Sequence, residues 1–292
     1  MSLEVVPSVI GIGAEIRGVD LSQPINDALF GRIRDLLHEY TVIYFRGQKL
    51  SGQQHVDFAK RLGPVRPPVP GADTNVLVPG CPDLTRLSNI LVDGKPIGLV
   101  EAGQYWHSDG CYRKEPNAYA VLYAVEVPRD AYGRALGDTM FASLKRAYQA
   151  LPNEIKELIK GRKAVHYYQN PKREGDKEFL KLAQVFKNPT ADLPPVAHPI
   201  IRTHPHTGEK VLYVNQQYTW GIEGMDDDEG RKLIDLLTSF IIRDGAVYRH
   251  SWQEGDFLIW DDCSLQHCAV GDYRLPQRRL INRTTVSGTA PF

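Results

Sequence analysis

Glu254-Gly255-Asp256-Phe257-Leu258-Ile259-Trp260-Asp261-Asp262-Cys263-Ser264-Leu265-Gln266-His267 is the stretch on which the fold reading turns. A run of four large apolar residues follows a glycine turn, and a polar Asp-Asp-Cys-Ser step separates it from a second short run. Runs of this length bounded by turn residues read as β-strands. Gly271-Asp272-Tyr273 and Leu275-Pro276 punctuate the chain beyond His267, so Ala246 to Val286 reads as antiparallel sheet.

Upstream the periodicity changes. Val9 to Val19 reads as a strand, Leu29, Phe30, Ile33, Leu36 and Leu37 recur at helical spacing, and Thr41 to Phe45 is β-branched and aromatic. Ser51 with Gln54 three residues on predicts a capping box for a helix through Phe58 and Leu62, which Gly63 would end in a left-handed conformation. Ala118 to Val127 is a long apolar strand, Ser143 to Lys160 a helical pair punctuated by Pro152, and Leu233, Leu236, Leu237 and Phe240 mark another amphipathic helix. By itself this pattern supports a mixed helix and antiparallel sheet protein, with helices covering a sheet.

The 292 residues carry no internal repeat, and the Pro-rich stretch from 64 to 70 is too short for an interdomain linker, so a single domain spanning 1–292 is expected. The charged segment at about 169–195 reads either as a mobile surface loop or as a lid inserted into it. Lys plus Arg equals Asp plus Glu at 35 each, so no overall field gathers nucleic acid or an anionic membrane. Met1 to Gly18 lacks a basic segment followed by an apolar one, and no apolar run approaches the ~20 residues of a membrane span. The expectation is a cytoplasmic protein without nucleic-acid or membrane partners; a homo-oligomer is compatible with this composition. Cys81, Cys111, Cys263 and Cys268 form no C-x-x-C pair and read as reduced, Cys268 as a small buried hydrophobe.

His107 and Asp109 stand two apart in Gln104-Tyr105-Trp106-His107-Ser108-Asp109-Gly110, so on extended chain both side chains leave one face and can share an ion. Two imidazoles and one carboxylate on one octahedral face suit non-haem Fe(II), leaving adjacent positions for a bidentate cosubstrate and O2. The third ligand must come from elsewhere. His267 ends the β run quoted above, and beyond a turn lie Gln277-Arg278-Arg279-Leu280-Ile281-Asn282-Arg283, in which Arg279 and Arg283 share a face and Arg278 points to the other.

At this point the sequence resembles the TauD/TfdA family, that is, the taurine and 2,4-dichlorophenoxyacetate dioxygenases. The resemblance covers nearly the whole chain. It rests on Ile12-Gly13-Ala14-Glu15-Ile16-Arg17-Gly18-Val19-Asp20-Leu21, Trp106-His107-Ser108-Asp109, Gly137-Asp138-Thr139-Met140-Phe141, Arg202-Thr203-His204-Pro205 with Gly208 and Val214-Asn215, and Trp260-Asp261 followed by His267, Arg279 and Arg283. It implies a mainly β fold with flanking helices, the double-stranded β-helix or cupin-like jelly roll. It also implies an oxidoreductase that binds iron at His107, Asp109 and His267 and consumes 2-oxoglutarate and O2. It implies further that succinate and CO2 are released as a C–H bond of a small organic substrate is hydroxylated. Thr139 and Arg279 would hold the distal carboxylate of 2-oxoglutarate, for which a planar guanidinium fork is well matched.

The resemblance implies an anionic substrate, with Arg283 facing its carboxylate; Arg283 could equally contact the metal-bound end of 2-oxoglutarate or buttress the sheet. Leu62-Gly63-Pro64-Val65-Arg66-Pro67-Pro68 departs from the histidines that taurine enzymes carry here, whereas Ser88-Asn89-Ile90-Leu91-Val92-Asp93-Gly94-Lys95 is closer to the phenoxyacetate enzymes. An aromatic or extended carboxylate is favoured. Tyr105, Tyr112, Tyr213, Tyr218 and Trp220 could supply a ring-binding wall, although strand aromatics more often belong to a core. Desaturation, cyclisation and C–O bond cleavage are alternative outcomes of the same oxidation, a non-catalytic metal-binding jelly roll is an alternative of another class, and a zinc hydrolase is a third. Asp109 at the middle ligand position argues against a halide-transferring relative. His204 and His206 read as turn residues, and His38, His55, His166, His198 and His250 have no partner at useful spacing.

Overall fold

The computed structural model describes residues 3–67, 74–100, 103–168 and 193–292. Most of the charged segment that reads as a loop or lid lies outside these residues. The larger sheet has eight strands, in the spatial order β1 (Glu4–Pro7), β2 (Ala14–Arg17), β3 (Val42–Phe45), β16 (Phe257–Asp261), β8 (Asn117–Glu126), β18 (Leu280–Ser287), β5 (Cys81–Ser88) and β4 (Leu77–Val78). All neighbours are antiparallel except β2 and β3. Facing it is a sheet of β15 (Val247–His250), β9 (Thr139–Ser143) and β17 (Leu265–Ala269), again antiparallel.

A third sheet orders β11 (Val196–Pro199), β10 (Lys163–His166) and β14 (Thr219–Ile222); β12 (Ile201–Thr203) pairs with β13 (Lys210–Leu212), and β6 (Leu91–Val92) with β7 (Lys95–Pro96). Among the described residues the helices are α1 (Asp27–Tyr40), α2 (Gly52–Leu62), α3 (Leu144–Ala150), α4 (Asn153–Ile159) and α5 (Asp227–Ile241). This is a cupin-like jelly roll: helices α1 and α2 cover the outside of the larger sheet, while α3 and α5 pack beside the smaller strands.

Alternation along the central strands shows why they are apolar throughout. On β16, Phe257 and Ile259 face the helices with Ile33, Leu36 and Phe58, whereas Leu258 and Trp260 face the other sheet with Phe141 and Leu265. On β8, Tyr119 and Val121 take the helix side and Ala120, Leu122 and Ala124 the inter-sheet side. A strand buried on both faces needs no polar face, so its sequence loses the usual alternation.

Local signals held where they depend on neighbouring residues. Ser51 accepts from the Gln54 amide and Gln54 closes the capping box onto the Ser51 amide. Gly63 does not adopt the left-handed helical conformation that the sequence suggests: it sits at φ 155, ψ −172. A Cβ there would meet Val286 Cγ1 at 2.9 Å, so close approach to β18 is the reason for glycine. Val9 to Val19 is likewise not one strand. Gly11 and Gly13 have φ of 64 and 86 and turn the chain between β1 and β2, and Gly13 lies against the Tyr248 ring.

One buried group in this scaffold titrates into the acid range. The His55 ring on α2 donates from Nε2 to the Val121 carbonyl at 3.0 Å, and burial, only partly offset by that bond, pushes its pKa down to about 4. An unfolded histidine titrates near ~6.5. The neutral ring therefore contributes its full stability above that pH and loses it as pH falls towards the folded value, on the order of 3 kcal/mol in all. In urea melts at pH 7 and 4.5, His55→Gln should lose less stability between the two than the parent does. Equal losses would show that His55 is not the responsible group.

Candidate active site

His107 stands just before the chain turns at Gly110, whose φ of 71 suits glycine. It forms an isolated antiparallel bridge with His267 on β17: the His107 amide donates to the His267 carbonyl at 3.1 Å and the His267 amide to the His107 carbonyl at 2.9 Å. Two residues far apart in sequence are thus clamped main chain to main chain. Their ring centroids lie 4.2 Å apart. Asp109 falls in the turn rather than on extended chain, so its convergence with His107 comes from the turn and not from strand alternation.

The donor atoms of His107, Asp109 and His267 all lie within 4.8 Å of one another. His107 Nδ1 is 2.7 Å from the Tyr105 carbonyl, which can only accept, so Nδ1 carries a proton and Nε2 is the nitrogen left to bind a metal. That Nε2 faces Asp109 Oδ1 at 3.4 Å. Both atoms can donate an electron pair to one cation. His267 Nδ1 is buried and has no hydrogen-bond partner among the described residues. Burial, His107 and Arg283 hold the His267 ring well below its ordinary pKa, so it stays neutral. Burial opposes ionisation of Asp109, but the Arg283 guanidinium and the contact with His107 outweigh it and hold the carboxyl well below the usual range. The set fits a divalent metal of non-haem iron type.

Asp109 is held from two sides. Arg283 Nη1 lies 3.2 Å from Oδ2, and the Asp109 amide points to Asp262 Oδ1 at 3.4 Å. Asp262 also accepts from Trp260 Nε1 at 2.8 Å, and the Trp260 ring lies 4.4 Å from His267. Burial, with Asp109 nearby, raises the Asp262 carboxyl well above its ordinary pKa. The Trp260-Asp261 pair marked this turn in the sequence, but nothing there singled out Asp262.

Thr139 on β9 and Arg279 at the foot of β18 are 4% and 6% exposed and line one cavity of about 310 Å³ with the three metal candidates. Trp252 Nε1 donates to Thr139 Oγ1 at 3.0 Å, which leaves the hydroxyl hydrogen free to donate elsewhere. Arg279 has no carboxylate partner among the described residues; its guanidinium lies 5.7 Å from the Tyr273 ring, and burial lowers its pKa. Arg278, by contrast, pairs with Glu126 at 3.0 Å on the exposed side.

The aromatic expectations divide. Tyr112 and Tyr218 line the cavity, and so does Tyr168, which no motif marked. Tyr213 does not: it is buried in the helix-side core beneath Arg202, whose guanidinium lies 4.7 Å from its ring. Tyr105 is 56% exposed and serves His107 through its carbonyl, not its ring. Trp220 is also absent from the cavity wall and donates to the Tyr167 carbonyl. Arg66 and Arg113, which no motif marked, do line it. A second close group, His204, Asp261 and Cys263, is already satisfied internally. His204 Nε2 donates to Asp261 at 2.7 Å while its Nδ1 accepts from the Thr207 amide at 3.0 Å. All four cysteines are free.

The family described as "Taurine catabolism dioxygenase TauD, TfdA family" matches residues 4–285. The chain is 33% identical over 295 residues to an alpha-ketoglutarate-dependent sulfate ester dioxygenase of Pseudomonas putida, covering 100% of this chain and 91% of that protein. It is 31% identical over 281 residues to the alpha-ketoglutarate-dependent 2,4-dichlorophenoxyacetate dioxygenase of Cupriavidus pinatubonensis, covering 93% of each. Among solved structures, a taurine dioxygenase from Burkholderia xenovorans superposes with a TM-score of 0.79 at 29% identity, covering 100% of this chain and 91% of the other. The structure of AAD-2 in complex with Mn(II) and N-oxalylglycine superposes with a TM-score of 0.76 at 25% identity, covering 100% and 99%. With a metal-type donor set, a buried arginine in the same cavity that has no carboxylate partner among the described residues, and a family match along almost its entire length, the chain belongs to the TauD/TfdA family of Fe(II)- and 2-oxoglutarate-dependent dioxygenases.

Proposed function

We propose that His107, Asp109 and His267 hold the Fe(II), that Thr139 and Arg279 grip the distal carboxylate of 2-oxoglutarate, and that Arg283 orients an anionic small-molecule substrate. The observation that carries this reading is the convergence of the His107, Asp109 and His267 donor atoms within 4.8 Å of one another, in the same cavity as Arg279, which has no carboxylate partner among the described residues. When bound, iron and 2-oxoglutarate draw on O2 to supply the oxidising equivalents for attack on a C–H bond, with succinate and CO2 as coproducts.

The protein's own residues bind and orient. Asp109 supplies the negative charge that two neutral imidazoles lack, and Arg283 fixes its second oxygen so that the carboxylate cannot rotate. Arg279 offers a two-pronged fork to a carboxylate, and the Thr139 hydroxyl adds a donor whose direction Trp252 sets. The neighbouring Arg279 and Arg283 charges favour an anion. Tyr112, Tyr168 and Tyr218 form an apolar wall that excludes water and limits which carbon approaches the metal side. A single domain, residence in the cytoplasm and assembly with copies of itself belong to this reading; among the described residues no helix is long and apolar enough to cross a membrane.

Anaerobic titration with Fe(II) and 2-oxoglutarate, followed by O2 in the presence of small carboxylates and sulfate esters, tests it. The expected result is one iron per chain and succinate release that rises several-fold with at least one anionic compound over the uncoupled background. Iron binding without 2-oxoglutarate binding would remove the assigned role of Arg279 and Thr139.

A further inference from the structure

The geometry points to a second anion site in the same cavity: Arg66 and Arg113 together hold an anionic group of the substrate at the end of an aromatic wall that starts at the metal ligands. This rests on the function proposed above and extends it to the class of substrate, an aryl or similarly flat molecule with an anionic group remote from the carbon that is oxidised.

Arg66 is fixed, but by neutral groups. Its amide donates to the Thr285 carbonyl, tying the residue to β18 at 2.8 Å. Its Nε donates to Asn117 Oδ1 at 2.8 Å, and its Nη2 to the Glu115 carbonyl at 2.9 Å and the Pro116 carbonyl at 3.4 Å. Three oxygens position the guanidinium and none cancels its charge. Arg113 has no ion pair among the described residues; its guanidinium stands 5.7 Å from the Tyr112 ring. Burial, together with the charge of Arg113, presses Arg66 below the usual guanidinium range, and Tyr112 and Glu115 offset this only in part. Two like charges in mutual repulsion are costly unless an anion joins them.

Other arginines of the chain show the contrast. Arg46 pairs with Asp256, Arg249 with Asp138 and Arg278 with Glu126. Within the cavity, Asp109 is already engaged by Arg283, and Asp83, on β5, makes no ion pair with either arginine among the described residues. Fe(II) and 2-oxoglutarate are equal and opposite in charge, so loading the enzyme leaves Arg66 and Arg113 as they were. An anionic substrate group is the partner that loading does not supply.

The path between the two ends is aromatic. The His107 ring lies 5.8 Å from Tyr218, Tyr218 lies 4.9 Å from Tyr112, and the Arg113 guanidinium stands over Tyr112. Tyr168 contacts both tyrosines at 4.7 and 5.8 Å. Leu77, Leu87 and Leu122 contribute apolar surface to the same cavity. A flat apolar body fits along such a wall, with its C–H at the metal end and its anion against the guanidinium pair.

Three probes separate the ends: phenoxyacetate, 4-carboxyphenoxyacetate and the 4-methyl ester of the latter, titrated calorimetrically under anaerobic conditions into the Fe(II)- and 2-oxoglutarate-loaded protein. The 4-carboxylate is expected to bind about ten-fold more tightly than its ester, as suits a charge-assisted contact. Arg113→Gln and Arg66→Gln should each erase most of that preference while leaving 2-oxoglutarate affinity unchanged, and Arg278→Gln should keep it. Equal affinities for acid and ester in the parent protein, or a preference that survives both substitutions, would overturn the proposal. So would failure of all three probes to bind. Failure of the metal-site reading is visible separately, as absence of the 2-oxoglutarate binding heat before any probe is added.

Discussion

His107→Ala is expected to abolish Fe(II) binding while leaving the apo protein folded. The bridge between positions 107 and 267 uses only backbone groups, donating 3.1 and 2.9 Å hydrogen bonds in the two directions, so alanine removes the ligand without unclamping the chains. The metal-free variant should therefore still melt cooperatively. Ligand that binds only the folded state raises stability, so the parent should melt higher with Fe(II) added anaerobically and the variant should not. Substrate-coupled succinate should fall at least about a hundred-fold, because losing even an outer partner of a metal ligand costs 10- to 100-fold. A variant that keeps its Fe(II)-dependent rise in melting temperature would remove His107 from the ligand set.

The second large effect belongs to Arg279. Its guanidinium is buried, lacks a carboxylate partner among the described residues, and lines the same cavity as Thr139. Losing one partner of a buried charged contact costs about 2–5 kcal/mol, which corresponds to roughly 30-fold or more in affinity. Arg279→Met should thus raise the apparent KM for 2-oxoglutarate by at least that factor with iron still bound. Arg279→Lys should recover part of it, since an ammonium keeps the charge but not the two parallel hydrogen bonds. Arg278→Gln should change KM little, because that side chain is about half exposed and its pair with Glu126 is a surface contact. A larger effect at position 278 than at 279 would exchange their roles.

The fold was readable where the signal is short in range. The Ser51 to Gln54 box, the helical spacing of Leu29 to Leu37 and the β runs from Phe257 to Ala269 all rest on residues that contact one another or share one face. The reading failed where a distant neighbour decides. Gly63 takes its conformation from the approach of Val286, and the supposed strand from Val9 to Val19 is broken by two glycines, one of them packed against Tyr248. No local pattern carries those contacts. The aromatic wall divided on the same line: Tyr112 and Tyr218 reach the cavity, Tyr213 is drawn under Arg202, and Tyr105 turns outward.

By itself the sequence determined which groups are candidates for the chemistry, because an imidazole, a carboxylate and a guanidinium are defined by covalent structure and their motifs sit at fixed spacing. It determined the β-rich character too, since apolar strands buried on both faces leave a direct imprint on residue type. What only the tertiary structure decided was convergence: the main-chain bridge that brings His267 to His107, the turn that aims Asp109, and the placing of Arg66 and Arg113 along one wall. Those depend on pairings between residues far apart in the chain, where the geometry is set by packing of whole sheets and the intervening residues carry no local record of it.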